Sequence, residues 1–279
     1  MSILILSDEA QASIHSGLQA SQTQEQVDDL IRHNPAVSAL LYSAKKIIHQ
    51  EKYVQIKGLP ILNELGWQSF VGYFGEYYGA IERTDIKTDC NYTGCSLNPL
   101  VLHNDDAVDL THQPKYGFIQ VTQTDALGIV ANGIVLVREL KRKLQFEDPQ
   151  LLRKLLSHPI PMLSYGINYD DKLKNEIITN EPIIYKSETG EYCVRFDQER
   201  NAYFYQMQGI EQSPDEALMI YEFLRHANQI KKKLFLSEGD ILIHDNQCTL
   251  HDREGCSIKF NLDGTTYTRS IAVSFARYI

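Results

Sequence analysis

Two short segments, separated by about half of the 279-residue chain, carry the residue types of a single metal site. The first is Leu102-His103-Asn104-Asp105-Asp106. The second is Asp245-Asn246-Gln247-Cys248-Thr249-Leu250-His251-Asp252-Arg253. Residues i and i+2 on an extended segment point the same way, so His103 and Asp105 can meet one ion together. Two imidazoles and one carboxylate occupy one face of an octahedral iron(II), leaving three positions for an oxidisable cosubstrate and dioxygen. The fold must then bring the strand carrying His251 beside the one carrying His103. Taken alone, the H-x-D pair favours a plainer reading, in which both are polar loop residues and His251 is a hydrogen-bonded core residue. The flanking residues favour the iron site.

Composition excludes more than it selects. With 43% hydrophobic residues the chain can bury a large core, and one domain over residues 1–279 is expected. This divides into an N-terminal helical layer, 1–52, and a core with inserted helices, 53–279. The net charge of -9 is spread along the chain, which leaves no electrostatic footprint for a nucleic acid or an anionic membrane. Lys231-Lys232-Lys233 is the single basic run and reads as a solvated helix end. No apolar stretch spans a bilayer and no secretory leader is legible, so a cytoplasmic protein is expected, compatible with a homo-oligomer. Cys90, Cys95, Cys193, Cys248 and Cys256 form no C-x-x-C pair, and their odd number points to thiols, mostly buried.

Residues from Ser21 to Gln50 carry apolar positions at helical spacing, interrupted at Pro35. Tyr53 to Gly58 reads as a strand and turn. Leu62 to Tyr78 reads as an aromatic-rich helix whose Trp67, Phe70, Phe74 and Tyr77 form a core stripe. Asp148-Pro149 caps a short helix, and Ser213-Pro214-Asp215-Glu216 is a capping box opening a helix towards Lys233. Phe235 to His244 and Arg269 to Tyr278 are strand-like.

The stretch from Gly239 to Arg253, a Gly-Asp strand leading to Asp245-Asn246 and then His251-Asp252-Arg253, resembles the distal-histidine segment of the taurine dioxygenase superfamily. Leu102 to Ala107, followed by Pro114-Lys115-Tyr116-Gly117 and a helical run from Gly133 to Leu144, resembles its proximal segment. The resemblance covers Tyr53 to the C-terminus and implies a double-stranded β-helix of jelly-roll type with flanking helices, an α+β fold. It also implies an oxygenase with Fe(II) and 2-oxoglutarate as cofactors, a small-molecule substrate and dioxygen, with His103, Asp105 and His251 as ligands. Arg269 stands where the family places the arginine that grips the distal carboxylate of 2-oxoglutarate, a task suited to a bidentate, permanently charged fork. The insertion through Asn261-Leu262-Asp263-Gly264-Thr265 is similar to one in the clavaminate-synthase-like amino-acid hydroxylases. Arg277 is the fallback, but eight residues of strand place it about 26 Å from Arg269, so both cannot serve one ligand.

Two departures and one match bear on chemistry. No hydroxyl occupies Gly128-Ile129-Val130, where the family often has a threonine assisting the cosubstrate. Val273 stands where taurine dioxygenase has a sulfonate-reading arginine, so sulfonates are not expected. Asp105 fills the position a halogenase opens for chloride, so hydroxylation is expected.

Tyr192-Cys193-Val194-Arg195-Phe196-Asp197-Gln198-Glu199 is similar to the R-x-D-x-D segment of arginine hydroxylases in that group. The likeness implies that Asp197 and Glu199 hold a substrate cation. On a strand they would share a face, as a desolvated guanidinium or ammonium requires; without the iron motifs they read as a solvated acidic loop. Glu82 and Arg83 fall where the group reads the α-amino and α-carboxylate ends. The expectation is hydroxylation of a free cationic amino acid, arginine or lysine, with succinate and CO2 released. The alternatives are a desaturase or oxidative decarboxylase of another small carboxylic substrate, and a non-catalytic metal-binding jelly roll.

Overall fold

The structure, a computed structural model, describes residues 2–21, 23–86, 93–111, 113–164 and 177–277, with the backbone alone described for 78–85 and 93. The chain opens with β1 (Ile3–Ile5), α1 (Asp8–Ala20), α2 (Gln24–His33), α3 (Pro35–Glu51) and β2 (Tyr53–Lys57). Each helix start is written in its capping residue. Ser7 accepts from the Ala10 amide, Thr23 and Gln26 form a capping box, and Asn34 accepts from Ala36 and Val37. Pro35, at the first position of α3, begins a helix there because its missing N–H costs nothing. Neither α1 nor β1 was anticipated. β1 pairs in parallel with β2, so the N-terminal layer also contributes a strand.

α4 (Glu64–Gly72) is shorter than the helix expected to reach Tyr78, and β3 (Glu76–Asp85) follows it. The aromatic stripe survives this correction in part. Trp67, Phe70 and Phe74 are buried, and each meets Phe118 edge-on.

Next come β4 (Leu100–His103), β5 (Tyr116–Gln123), β6 (Ala131–Leu136), α5 (Val137–Glu147), α6 (Pro149–Ser157), β7 (Pro159–Leu163), β8 (Ile178–Pro182), β9 (Ile184–Lys186) and β10 (Tyr192–Val194). Gly133 therefore lies inside a strand, and the helical run expected from it begins after Leu136. The chain closes with α7 (Gln198–Gln208), α8 (Pro214–Ile230), β11 (Lys232–Phe235), β12 (Ile241–Asp245), β13 (Thr249–Arg253), β14 (Lys259–Phe260), β15 (Thr266–Tyr267) and β16 (Ser270–Arg277). Ser213 caps α8 as expected. Lys231-Lys232-Lys233 is a correction: it enters β11, and the three ammonium groups pair with Asp252, Glu139 and Glu254.

A six-stranded sheet, β1-β2-β12-β5-β16-β3, and a four-stranded sheet, β11-β6-β13-β4, form the jelly-roll core. Alternation along the strands shows which side is which. Phe118, Ile241 and Ile243 pack with the N-terminal helices. Their neighbours Ile119 and Leu242 pack with Ile134 and Leu234 of the other sheet. Leu102, Val135 and Leu250 face away from that seam, towards α5, α6 and α8. Among the described residues no helix is long and apolar enough to cross a membrane. Cys193, Cys248 and Cys256 are thiols, but Cys95 is disulfide-bonded, which corrects the all-thiol expectation; Cys90 lies outside the described residues.

Candidate metal centre

β4 ends on His103, and β13 places His251 directly opposite it in antiparallel register. Because Leu102 and Leu250 pack away from the seam, alternation turns both imidazoles into the space between the sheets. Their rings lie 4.3 Å apart. Asp105 follows His103 through a turn and presents one oxygen to each ring: Oδ1 is 3.8 Å from His103 Nε2, and Oδ2 is 3.6 Å from His251 Nε2. These separations are too long for hydrogen bonds. The three ligand atoms lie within 4.8 Å of one another, a spread that an ion about 2 Å from each would span.

The surroundings suit a cation. Burial raises the Asp105 carboxyl to about 6, against the pull of His103 and with a further push from Asp197. Burial also holds His251 well below the usual imidazole range, helped by His103 and His244. His103 Nδ1 lies 2.9 Å from the Val101 carbonyl, so its N–H points there and Nε2 keeps its lone pair towards Asp105. The donor set therefore fits iron(II).

His244 was not anticipated as part of this site, although its parity with Leu242 in Ile241-Leu242-Ile243-His244 was the available signal. Its ring lies 4.6 Å from that of His251, and Nδ1 meets Thr249 Oγ1 at 3.1 Å. Burial pushes it down to about 3, with His103 adding to the effect. Space for the ring exists because position 117 is glycine: a Cβ there would sit 2.4 Å from His244 Nε2.

The Asp-Asn pair ahead of His251 is scaffolding. Asn246 Nδ2 donates to the carbonyls of Asp105 and Pro114, and its Oδ1 accepts from the Asp105 amide. Asp245 is buried against Lys115 Nζ at 2.8 Å and Lys52 Nζ at 3.5 Å. Asn104 ties the other side of the turn: it accepts from the Phe196 amide at 2.7 Å and donates to the Val194 carbonyl at 3.2 Å. Asp252 accepts from the Gly133 amide at 2.7 Å and from Lys231 at 2.5 Å, and a Cβ on Gly133 would lie 2.2 Å from that carboxylate.

Arg269 is 3% exposed and sits just before β16. Its Nη2 donates to Asn132 Oδ1 at 2.8 Å, and among the described residues no carboxylate pairs with it. Burial lowers it to about 10, so it stays charged at neutral pH. Asp125 acts on it electrostatically without reaching ion-pair distance, so the guanidinium keeps donors for a dicarboxylate. Arg277 lies at the far end of β16, opposite Glu76.

For Asp197 and Glu199 the strand placement is corrected. Neither is on a strand: Asp197 is the N-cap of α7, accepting from Glu199 and Arg200 amides at 2.8 and 3.2 Å, and Glu199 is in the first turn. The two therefore share no strand face. Asp197 nevertheless acts electrostatically on Asp105, and its own carboxylate lies 3.8 Å from Arg200 Nε. Arg195 is fully buried and donates to the carbonyls of Ala107, Ile160 and Glu181, so it is a structural strut. Glu82 and Arg83 lie on β3, opposite Val273 and Ala272, and their side chains are outside the described residues.

Two facing sheets with a two-histidine, one-carboxylate cluster at their seam define the class of non-haem iron oxygenases. The chain belongs to the taurine catabolism dioxygenase TauD, TfdA family, whose model matches residues 33–262. It is thus one of the 2-oxoglutarate-dependent dioxygenases. No curated protein matches it significantly. Among solved structures it is similar to an asparagine oxygenase in complex with Fe(II), 2S,3S-3-hydroxyasparagine and succinate, with TM-score 0.75, 14% identity, and coverage of 99% of this chain and 94% of the other. It is also similar to the non-haem iron oxygenase OrfP with Fe, succinate and (3R,4R)-dihydroxy-L-Arg (TM-score 0.72, 12% identity, coverage 100% and 95%). OrfP with Fe and α-ketoglutaric acid gives TM-score 0.70 and 14% identity, with coverage of 99% and 94%.

Proposed function

We propose that this chain hydroxylates a small free amino acid, of cationic side chain, using iron(II) held by His103, Asp105 and His251 and 2-oxoglutarate anchored by Arg269. The observation that carries the reading is the pairing of a cluster of donors with a buried arginine in the same core that makes no ion pair among the described residues. Bound together, iron(II) and 2-oxoglutarate supply oxygen activation, with 2-oxoglutarate oxidised to succinate and CO2 while one oxygen atom enters a substrate C–H bond.

The chain's own groups supply the rest. The two imidazoles present Nε2 lone pairs, and Asp105 supplies the charge that offsets the cation. The Arg269 fork fixes the distal end of the cosubstrate, and Asn132 fixes the fork. Asp197 offers a carboxylate beside the cluster, where a substrate ammonium or guanidinium would be held; Glu199 contributes from the next turn. Glu82 and Arg83 are retained as the pair for the amino and carboxylate ends. The solved relatives that carry asparagine and arginine products support a free amino acid as the substrate class. The proposal includes a cytosolic setting; the Cys95 disulfide weighs against it.

Anaerobic spectroscopy tests the reading. Addition of iron(II) and 2-oxoglutarate should produce a visible charge-transfer band that arginine or lysine shifts, and His103→Ala and His251→Ala should abolish the band. An unchanged band in both variants removes the ligand assignment. A band shifted by a neutral or acidic amino acid alone removes the cation pocket.

A further inference from the structure

Behind the metal turn lies a second buried cluster. Cys193 on β10 and Cys248 in the turn between β12 and β13 place their sulfurs 3.9 Å apart, 55 residues apart in sequence. Around them stand Glu191, Asp245, Lys52, Lys115 and Tyr185. Glu191, Asp245 and Cys248 have ligand atoms close enough for a metal ion. The chain already fills that role with its own cations: Lys52 meets Glu191 at 2.6 Å and Lys115 meets Asp245 at 2.8 Å. The chemically available groups left are the two thiols.

We propose that Cys193 and Cys248 form a reversible redox pair that closes to a disulfide on exposure to hydrogen peroxide. Both are nearly inaccessible, 1% and 3% exposed, which excludes bulky thiol reagents. Lys52 and Glu191, which border the pair, have side chains 12% and 39% exposed, so the cluster lies close to solvent on that side. Cys248 and the charge of Lys115 hold the Cys193 thiol below its usual range, while the Cys248 thiol is pushed up, with the Cys193 contact as the first cause and burial next. The Lys115 ammonium acts on both sulfurs in the direction of a thiolate, so one can attack and the other, 3.9 Å away, can resolve.

The step balances. The Cys193 thiolate attacks one peroxide oxygen, the O–O bond breaks, and hydroxide leaves with a proton as water, giving a sulfenic acid. The Cys248 sulfur then attacks that sulfur, the S–S bond forms, and a second water departs. Two thiols are oxidised, and one peroxide is reduced to two waters.

Closing the pair draws the sulfurs from 3.9 Å to about 2.05 Å. The segments it draws together are the two that hold the metal turn. Asn246, two residues before Cys248, grips Asp105, and Val194, next to Cys193, accepts from Asn104. The bond thus acts on the support of Asp105 without touching it, and oxidation should alter iron affinity.

The test uses the full-length reduced protein, treated with a small excess of hydrogen peroxide, digested without reductant and read by mass spectrometry. The expected result is a linked peptide joining Cys193 to Cys248, two hydrogens lighter than its parts. It should be cleaved by dithiothreitol and absent from Cys193→Ser and Cys248→Ser. Iron affinity of the oxidised protein should differ at least severalfold from that of the reduced protein and recover on reduction. The pair is overturned if both thiols stay free at a peroxide dose that oxidises the more exposed Cys256. It is also overturned if each goes singly to sulfinic acid with no linked peptide. The mass readout needs no catalysis, so it stands apart from the oxygenase reading, and the wild type alone decides it if a variant fails to fold.

Discussion

Asn246 and Asp105 face each other as two strand residues would: the Asp105 amide donates to Asn246 Oδ1, and Asn246 Nδ2 donates to the Asp105 carbonyl, each at 2.9 Å. A side chain thus replaces a stretch of backbone ladder and fixes the turn that carries the carboxylate. Asn246→Ala should strand the Asp105 amide and the carbonyls of Asp105 and Pro114, at about 1–3 kcal/mol for each buried group. It should weaken iron binding about 10- to 100-fold, the usual effect of losing an outer support. Thermal unfolding and iron titration check both, and unchanged iron affinity would discard the bracing role.

Arg269 can be separated from Arg277 by one kinetic comparison. Removing one partner of a buried ion pair costs about 3–5 kcal/mol, so Arg269→Ala should raise the 2-oxoglutarate concentration needed for succinate release about 100-fold or more. Arg277→Ala, at the other end of the strand, should leave it nearly unchanged. The reverse order would move the anchor to Arg277.

The buried His244 gives the metal-free protein a pH dependence of known sign. Its folded pKa, about 3, lies below the ordinary 6.5, so its contribution is present above pH 6.5 and is lost as pH falls towards the folded value. The loss reaches about 2 kcal/mol by about pH 5, at 1.36 kcal/mol per unit. Asp105, raised to about 6, works the other way, its contribution being lost as pH rises through that value. The His244 effect is therefore read as a difference: His244→Gln should be less stable at neutral pH yet lose less than wild type on acidification. Denaturant unfolding at several pH values measures this, and parallel curves would contradict it.

Asp197 has two roles that different substitutions separate. Asp197→Ala removes the cap of α7 and should cost about 0.5–2 kcal/mol of stability. Asp197→Asn keeps the cap and removes the charge, so it should weaken arginine or lysine binding by about 1.5–3 kcal/mol with little loss of stability. Glu199→Gln, off that face, should act less. Calorimetric titration decides, and full affinity in Asp197→Asn rejects a cation site there.

The convergence of His103, Asp105 and His251 was legible because its signals are local. An H-x-D spacing and an Asp-Asn lead into a histidine both survive without knowledge of strand order. Asp197 and Glu199 were misread because D-x-E fits an extended strand and a helix N-terminus equally. What decides between them is downstream, in a helix that runs to Gly209 in the left-handed conformation with φ 61. His244 escaped for the opposite reason: a histidine in an apolar strand is ordinary until another strand is known to bring His251 against it. The ion pairs of the lysine run escaped likewise, since Asp252 and Glu254, at the end of β13, and Glu139, on α5, are distant from it in sequence and meet it only in the fold.

Gly133 and Asp252 leave each other no room for independent change, since any side chain at 133 would enter the carboxylate that lies between His251 and Arg253 in sequence. The two positions are therefore expected to change together. Homologues sorted by whether they keep the acid at 252 should sort themselves by whether they keep glycine at 133. A larger residue at 133 should arrive only in lineages where 252 has first become small.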